Sequence, residues 1–499
     1  MKGSMNKGFF SYLMLFLILA LAAIFVCGAI MMYSPGTPIL GYVFVKGDSK
    51  TIILDYNGFE AEKYKGFETT IKDAAGNEIN PFNNPTLVNF TALSKLVVKT
   101  NGMKVNVIRT KDNERIDVIK DFKGFSKADD VKPYKLTKQY DSANKIFTLI
   151  VEDYNPQLKL INNNKINIYV MAQTANNLEI ETVSSSVSVA TISYDSYTPR
   201  DLAFKSISVK TETGNITLSD KVTVQENLNI QVLKKSNVNI NSNVQKGEGV
   251  LTSNVSFDIK EGNLTTKNIV ATNLLLKSEE MLFVKTGNIT AAVTLKIKNG
   301  DFVAGNITGN VVDPDDSVEN LDFTAKNIDG SLTIPKAKDG DFIIDSVKGI
   351  LTINKDAGLI KVKDTSNSVI ITTKSGDVYL SNKTQSENEE EFFYVNITTE
   401  KGDINFLMGE GKTNNVNLTS SKGSIKAIYH TNIVDMTVTV TAKKVNFANE
   451  NKTLSDVENL KGYPTTTAQP KTTSIALNIT TEGEVKIDAK ATLAWNLIA

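Results

Sequence analysis

One phrase of nine residues decides the fold, and it is clearest as IITTKSGDV at residues 370–378. It returns as NITTEKGDI at residues 396–404 and as NLTSSKGSI at residues 417–425. The last two copies begin with alternating polar and apolar residues, while the first has Ile at both of its first two positions. In each copy a Thr or Ser and a short polar turn with glycine follow, and an apolar residue begins the next segment. Alternation with a period of two is typical of a β-strand with one buried face. The phrase therefore predicts short strands joined at a corner that contains glycine.

Four segments share one register when they are aligned on Gly214, Gly376, Gly402 and Gly423. Apolar residues stand seven and five positions before each glycine and two and four positions after it. We expect the glycine to supply the positive φ that the corner needs, and the polar residue after it to cap the turn. We also expect the residues five positions before the last three glycines to stack in one shared core; these are Ile371, Ile397 and Leu418.

The repeat continues more loosely over much of the chain. Weaker copies surround Gly102, Gly287, Gly300, Gly349 and Gly483. From Gly214 onward most glycines used as anchors are about 20 to 30 residues apart, which is the size of one supersecondary repeat. The longer gap between Gly423 and Gly483 is expected to hold a repeat without glycine, from Met436 to Phe447, and a loop.

Two all-β architectures fit this pattern. One is a right-handed parallel β-helix or β-solenoid, in which each repeat stacks on the one before it. The other is a string of β-sandwich domains, in which each glycine marks a hairpin. The uniform one-sided alternation, the single tryptophan and the lack of a clear linker favour the solenoid.

The repeat resembles that of a bacterial family of proposed adhesins, a domain of unknown function with a β-solenoid fold. The segments at 370–378 and 396–404 carry the likeness. Residues 96–107 look like that family's first coil, residues 112–118 like its charged bend and second strand, and residues 166–183 like the beginning of its regular array. The likeness extends over about residues 90 to 490, judged by the repeat unit. The resemblance implies surface exposure with a role in adhesion or envelope sensing, and it implies no catalytic residue.

The N-terminus contains an apolar run without a charge, from Phe9 to Tyr33. At 1.5 Å per residue such a helix is about 37 Å long, enough to cross a hydrocarbon core of about 30 Å. Lys2 and Lys7 precede it, which predicts a cytoplasmic N-terminus by the positive-inside rule. A signal peptide cleaved near Cys27-Gly28-Ala29 and a lipoprotein acylated on Cys27 are the alternatives.

These observations predict a cytoplasmic tail at residues 1–8 and a transmembrane helix at 9–33. A connecting β-rich segment at 34–90 and solenoid repeats at 91–499 follow, with loop inserts near 311–320, 381–391 and 450–471. The protein is thus expected in the cell membrane, single-pass, with its C-terminal bulk extracellular. Cys27 is the one cysteine, so the outer part is expected to fold without disulfides.

The sequence offers little chemistry. Asp313-Pro-Asp-Asp316 is the best acid cluster for glycoside hydrolysis, but it lies in a segment typical of a solvated turn. His430 is the only histidine, it is distant in sequence, and no arginine follows Arg200. No nucleophile elbow, phosphate-binding loop or metal-ligand cluster is present. We therefore predict no catalytic, cofactor-binding or metal-binding residue.

Charge and sequons complete the sequence-based picture. Lys plus Arg and Asp plus Glu are equal at 55 each, which argues against nucleic acid as a partner. Eleven Asn-x-Ser/Thr sequons occur, mostly in the repeat phrase; among them are Asn215, Asn288, Asn306, Asn396 and Asn478. In a glycosylating organism they would lie on the outer face.

The sequence predicts a membrane-anchored surface protein with a non-catalytic solenoid ectodomain for adhesion or envelope scaffolding. Its partners would be the membrane, through Phe9 to Tyr33, and a cell-surface polysaccharide or protein. A ligand-binding sensor or accessory of an envelope-stress system is one alternative, and a polysaccharide-active enzyme is another.

Overall fold

A computed structural model shows a chain that is nearly all β-strand, with one long helix at the N-terminus. The structure describes residues 7–33, 38–39, 42–54, 67–72, 93–109, 115–130, 134–141, 143–152, 158–170, 177–190, 202–219, 222–241, 244, 253–382, 393–409, 413–430, 436–448, 453–457, 460–464, 475–490 and 493–498. The chain divides into two compact units, residues 1–202 and 203–499. The predicted all-β solenoid is confirmed in both, while the predicted right hand of the coil stays a prediction.

The helix α1 spans Lys7–Tyr33. Its stretch Tyr12–Ile30 has a mean hydropathy of 3.0 and is 0% buried against the rest of the protein. Among the described residues it is the one helix that is long and apolar enough to cross a membrane, on length and composition alone. A signal sequence would pass the same test, and most of the predicted tail at 1–8 lies outside the described residues.

The described residues of the first unit form eleven strands. They are β1 Tyr42–Leu54, β2 Phe67–Lys72, β3 Lys95–Thr100, β4 Lys104–Arg109, β5 Arg115–Lys127, β6 Tyr134–Asp141, β7 Ile146–Glu152, β8 Leu158–Asn162, β9 Lys165–Val170, β10 Asn177–Thr182 and β11 Val187–Ala190. Strand β3 pairs in parallel with both β7 and β10, and β4 pairs in parallel with both β9 and β11. The β3–β4 turn of the coil is therefore the middle one of three stacked turns, although it comes first in the sequence. We call each such turn a rung.

Antiparallel strands close the outer rung of this unit. Strand β5 runs antiparallel to β9, and β6 runs antiparallel to β7. Residues 115–118, which the sequence analysis likened to the second strand after a charged bend, thus belong to a closing strand. Strands β1 and β2, from the predicted connecting segment at 34–90, pair with β5 and β6 respectively.

The second unit contains the regular repeat. Its strands are β12 Leu202–Thr211, β13 Ile216–Leu218, β14 Val222–Ile240, β15 Asn254–Thr266, β16 Ile269–Lys285, β17 Ile289–Ala304, β18 Ile307–Thr308, β19 Val311–Val312, β20 Asn320–Asp329, β21 Leu332–Ala337, β22 Phe342–Val347, β23 Leu351–Lys355, β24 Ile360–Val362, β25 Val369–Thr373, β26 Val378–Asn382, β27 Phe393–Thr399, β28 Ile404–Met408, β29 Thr413–Ser420, β30 Ile425–His430, β31 Met436–Thr441, β32 Lys444–Ala448, β33 Thr453–Val457, β34 Leu460–Pro464, β35 Ile475–Thr481 and β36 Glu484–Lys490. Almost all pair in parallel with the equivalent strand of the next rung.

Apolar side chains fill the interior of this unit in vertical stacks. Phe302, Phe323 and Phe342 stand in register on successive rungs. The ring centroids of the first pair are 4.9 Å apart and those of the second are 5.7 Å apart, and both pairs are stacked. Ile371, Ile397 and Leu418 also stand in register, each at most 1% exposed. The predicted shared core is confirmed, and with it the solenoid rather than the sandwich string.

The corner glycines are required for a different reason from the predicted one. Gly214 has a φ of 134°, as expected, but Gly376, Gly402 and Gly423 are outside the positive-φ region. There a Cβ atom would overlap the carbonyl oxygen of the glycine one rung below. The stacked corners thus select glycine for close backbone approach.

The conserved position of Thr or Ser in the phrase also has a structural reason within this chain. Thr399 Oγ1 accepts the backbone N–H of Gly402 at 2.9 Å, and Ser420 Oγ accepts that of Gly423 at 2.8 Å. Both side chains are 0% exposed. The hydroxyl therefore satisfies a buried donor at each corner.

The last rungs are not stacked in sequence order. Strand β35 pairs with both β29 and β31, and β36 pairs with both β30 and β32. The chain therefore builds the outer rung first and then returns to fill the place below it. The predicted loop near 450–471 contains β33 and β34, which run antiparallel to β32 and β31. Most of the predicted insert at 381–391 lies outside the described residues.

Candidate ligand-binding surface

The acid cluster at 313–316 is a structural turn. Asp313 is 0% exposed, and its carboxylate accepts hydrogen bonds from the backbone N–H groups of Ser317 and Val318, both at 3.1 Å. The hydroxyl of Ser317 donates a third, at 2.8 Å. Asp315 forms an ion pair with Lys296 across neighbouring rungs. These bonds commit Asp313 to holding the turn and Asp315 to an ion pair.

The one histidine of the sequence lies apart from that turn. His430 is the last residue of β30, half-buried, in register with Lys490. Arg115 lies in the first unit, where its Nε is 3.3 Å from Asp117 Oδ1 and its guanidinium covers the ring of Tyr169 at 4.1 Å. Among the described residues no group of His, Cys, Asp or Glu could hold a metal ion.

Among the described residues three lysines are buried, Lys120, Lys138 and Lys355, and sequence reasoning singled out none of them. Burial lowers the pKa of Lys138 to about 6. Burial also lowers the pKa of Lys355 to about 8, against the opposing attraction of Asp341 and neighbouring acids. Lys355 takes the corner position that Thr373 holds in the next rung, and its ammonium donates to the carbonyl oxygens of Gly340 and Leu359, the latter at 3.0 Å. Lys355 thus replaces the usual hydroxyl at that corner.

Many outward polar side chains are also used to hold neighbouring rungs together. Asn288 Oδ1 accepts the backbone N–H of Asn306 at 2.9 Å, and Asp403 Oδ1 accepts that of Ser424 at 2.7 Å. The residue after the glycine was predicted to cap its own turn. At Asp403 that prediction is wrong, because the N–H that its carboxylate accepts belongs to the next rung. These hydrogen bonds connect neighbouring rungs of the protein itself.

One outer face of the second unit carries charge. Asp301, Asp322 and Asp341 follow one another on successive rungs. Burial raises the pKa of Asp301, and the neighbouring Asp322 raises it further. The backbone N–H of Asp341 donates to Asp322 Oδ1 at 2.8 Å, so part of this acidic column serves the array itself.

Farther along the same face, C-terminal residues of the chain pack over β28 and β30. Ile498 is packed with Leu407 and Ile428, and the ammonium of Lys426 donates to the carbonyl oxygen of Leu497. Trp495 lies with its ring centroid 5.7 Å from the ammonium of Lys361. The C-terminal residues therefore occupy this part of the face.

A second outer face is formed by β25, β27, β29, β35 and β31, which lie side by side in that order. None of these five strands contains a charged residue, in a chain in which charged residues make up 22%. Hydroxyl and amide side chains dominate its outward positions, and we call it the Asn/Thr face. Its outward residues are Ile370, Thr372, Tyr394, Asn396, Thr398, Asn415, Asn417, Thr419, Ala476, Asn478, Thr480, Thr437, Thr439 and Thr441.

The amides of this face form an ordered ladder. The Nδ2 of Asn417 donates to Asn396 Oδ1 at 2.7 Å, and the Nδ2 of Asn478 donates to Asn417 Oδ1 at 2.9 Å. A column of threonines runs beside them, in which Thr372, Thr398 and Thr480 are exposed. Neighbouring rungs are about 4.8 Å apart, and alternate residues along a strand are about 6.6 Å apart. The face is therefore a fixed grid of donors and acceptors.

The repeat phrase contained a signal for this face. Asn396-Ile-Thr, Asn417-Leu-Thr and Asn478-Ile-Thr place an amide and a hydroxyl on the outward side of three neighbouring strands. The sequence did not show that β31 lies beside β35 and extends the grid with further threonines. Strands β31 and β35 are neighbours because the last two rungs are stacked in the reverse of their sequence order.

Comparisons with known proteins add little. No family model matches the chain, and no curated protein matches it. Among solved structures it is similar to a protein from Clostridium sporogenes ATCC 15579 proposed to act in cell adhesion, with 9% identity and a TM-score of 0.17. The match covers 81% of this chain and 96% of that one. A likeness at this level supports neither a fold nor a role, and the resemblance to the adhesin family stays a resemblance.

Proposed function

We propose that this chain is a membrane-anchored surface protein whose non-catalytic solenoid acts in adhesion or in scaffolding of the cell envelope. Helix α1 supports the anchor, because Tyr12–Ile30 is apolar and no part of that stretch is buried against the described residues. The two lysines before it favour a cytoplasmic N-terminus, with the solenoid outside.

The observation that carries the proposal is the Asn/Thr face. It is broad, repetitive and held in place by side-chain bonds between rungs. An enzyme gathers its reacting groups in a concave site with a few convergent polar groups, whereas this face repeats one chemistry from strand to strand. A surface of this kind suits an extended partner that makes the same contact many times.

Protease treatment of intact cells tests the location. We expect the protease to remove the bulk of residues 34–499 while leaving a fragment that contains α1 in the membrane. Cells that carry the protein should also attach to envelope or host material more firmly than cells that lack it. Complete protection of the chain in sealed cells, with digestion only after lysis, would reverse the orientation and end the proposal.

A further inference from the structure

We propose that the Asn/Thr face is a binding site for an uncharged polysaccharide, with the sugar chain crossing the stacked strands. This inference rests on the proposed surface location, because the ligand must be outside the cell. It goes further by naming the face, the chemical class of the ligand and the residues that contact it.

The distribution of charge selects an uncharged ligand. Elsewhere in the second unit, outward lysines pair with acids on neighbouring rungs; Lys260 with Glu280 at 3.1 Å and Lys338 with Glu319 at 2.8 Å are examples. The strands of the Asn/Thr face contain no such groups. Acidic polysaccharides and nucleic acids bind through cations, and cationic peptides bind through carboxylates. A neutral polymer requires neither.

The hydrogen-bonding groups select a polyhydroxyl ligand. Amide and hydroxyl side chains both donate and accept, as sugar hydroxyls do, so the two surfaces can exchange bonds in either direction. Asn417 is held from both sides by Asn396 and Asn478, so little side-chain entropy is lost when a ligand binds. The threonine hydroxyls beside the ladder can turn to suit the sugar.

The spacing and one aromatic side chain agree with this ligand. One amide and one hydroxyl recur on neighbouring strands about 4.8 Å apart, a repeat similar to the length of one sugar residue in an extended chain. Tyr394, 40% exposed, lies on the same face in register with Asn415. Its ring offers an apolar surface with a polar tip, on which the apolar face of a sugar ring can stack.

Full-length protein in detergent micelles provides the test. It is mixed with particles of three uncharged polymers, cellulose, chitin and mannan, and with an acidic polymer, polygalacturonate. We expect retention on at least one uncharged polymer and none on polygalacturonate. Because no ion pair is involved, retention should be the same at about 0.1 M and about 1 M NaCl, although the Debye length falls from about 10 to about 3 Å.

Matched variants locate the site. Thr398→Lys combined with Thr480→Lys places two cations on the Asn/Thr face, at positions that are exposed, so the fold should be kept. We expect about a tenfold or greater loss of affinity, since two hydrogen bonds of ordinary strength are removed. Thr324→Lys makes the same change on the charged face, on β20, and should bind as the native protein does. A thermal melt of each variant checks that it is folded.

Several results would overturn the inference. They are no retention on any of the three uncharged polymers, equal loss in Thr324→Lys, or retention on polygalacturonate that disappears in high salt. Glycans found by mass spectrometry on Asn396, Asn417 or Asn478 would also overturn it, because they would cover the face. If cells still attach when the face carries the two lysines, the proposed function stands and this ligand is rejected. If the protease test fails, the proposed location is rejected.

Discussion

Replacing Ile397 by Asp tests the stacked core on which the whole second unit depends. Ile397 is 0% exposed, with Ile371 and Leu418 in register on either side. Removing a buried aliphatic side chain of this size costs about 2–5 kcal/mol. The new carboxyl would lie between two aliphatic side chains, and it would take up a proton because burial raises its pKa. Burying the neutral acid without a partner still costs about 1–3 kcal/mol. We therefore expect a total loss of roughly 5 kcal/mol.

Thr398→Asp is the matched control, because it introduces the same side chain one residue along on the exposed side of β27. It should cost within about 0.5 kcal/mol. Urea unfolding of the full-length protein in detergent gives both values. Hydrogen exchange should show that damage from Ile397→Asp reaches the rungs of β25 and β29 before distant ones, since each rung contacts its neighbours. Equal stability of the two variants would show that the assigned strand register is wrong.

Three further changes test particular features of the array. In Gly402→Ala a Cβ would overlap the rung below, so we expect the free energy of unfolding to fall by about 2–4 kcal/mol in a chemical unfolding experiment. Lys401→Ala is the control. If both variants unfolded at the same denaturant concentration, the close approach of the backbones would not be the reason for glycine. Burial lowers the pKa of Lys355 to about 8 from 10.5, so the folded chain binds fewer protons than the unfolded chain between those values, and stability should rise with pH over that window by up to about 3 kcal/mol. A Lys355→Met variant should lack this contribution while the rise due to Lys138 remains, and a parallel pH profile in both proteins would contradict it. Asp313→Ala removes the bonds that hold its turn and should lower the free energy of unfolding by about 1–3 kcal/mol. Asp315→Asn should leave both the stability and any measured glycan hydrolysis unchanged. If Asp315→Asn abolished a hydrolytic activity, the protein would be an enzyme.

The regular part of the fold could be predicted from the sequence because its cause is local. Residues such as Ile397 and Thr398 alternate in burial, and alternation can be counted without knowing the neighbours. The phrase also repeated at fixed offsets, so the stacking of Ile371 on Ile397 followed from alignment alone. The need for glycine at Gly402 was predicted correctly for a wrong reason, since the obstacle is the backbone of another rung.

The candidate site could be predicted only in part. The three Asn-x-Thr phrases predicted outward amides and hydroxyls. The same three-residue pattern is also the acceptor signal for N-glycosylation, so the sequence alone did not identify a binding surface. Their value as one surface depends on which strands are neighbours. Strand β35 lies beside β29 although 54 residues separate Ser420 from Ile475 in the numbering. No local pattern encodes such a distant pairing.

The exchanged rungs have a physical rationale that bears on how a partner can bind. The last strand of a parallel array leaves N–H and C=O groups unpaired, and such an edge templates assembly with other chains. In the first unit, antiparallel strands cover the outer rung at β7 and β9, and in the second unit, β33 and β34 pair with the outer rung at β32 and β31. In the second unit, the chain builds the outer rung before it returns to fill the place below it, and this order leaves β33 and β34 next to the outer rung. A partner that added a strand would need one of these edges, and at both places the chain already fills it. A partner of the proposed kind would therefore meet the outward side chains, which on the five strands of the Asn/Thr face include no charged residue.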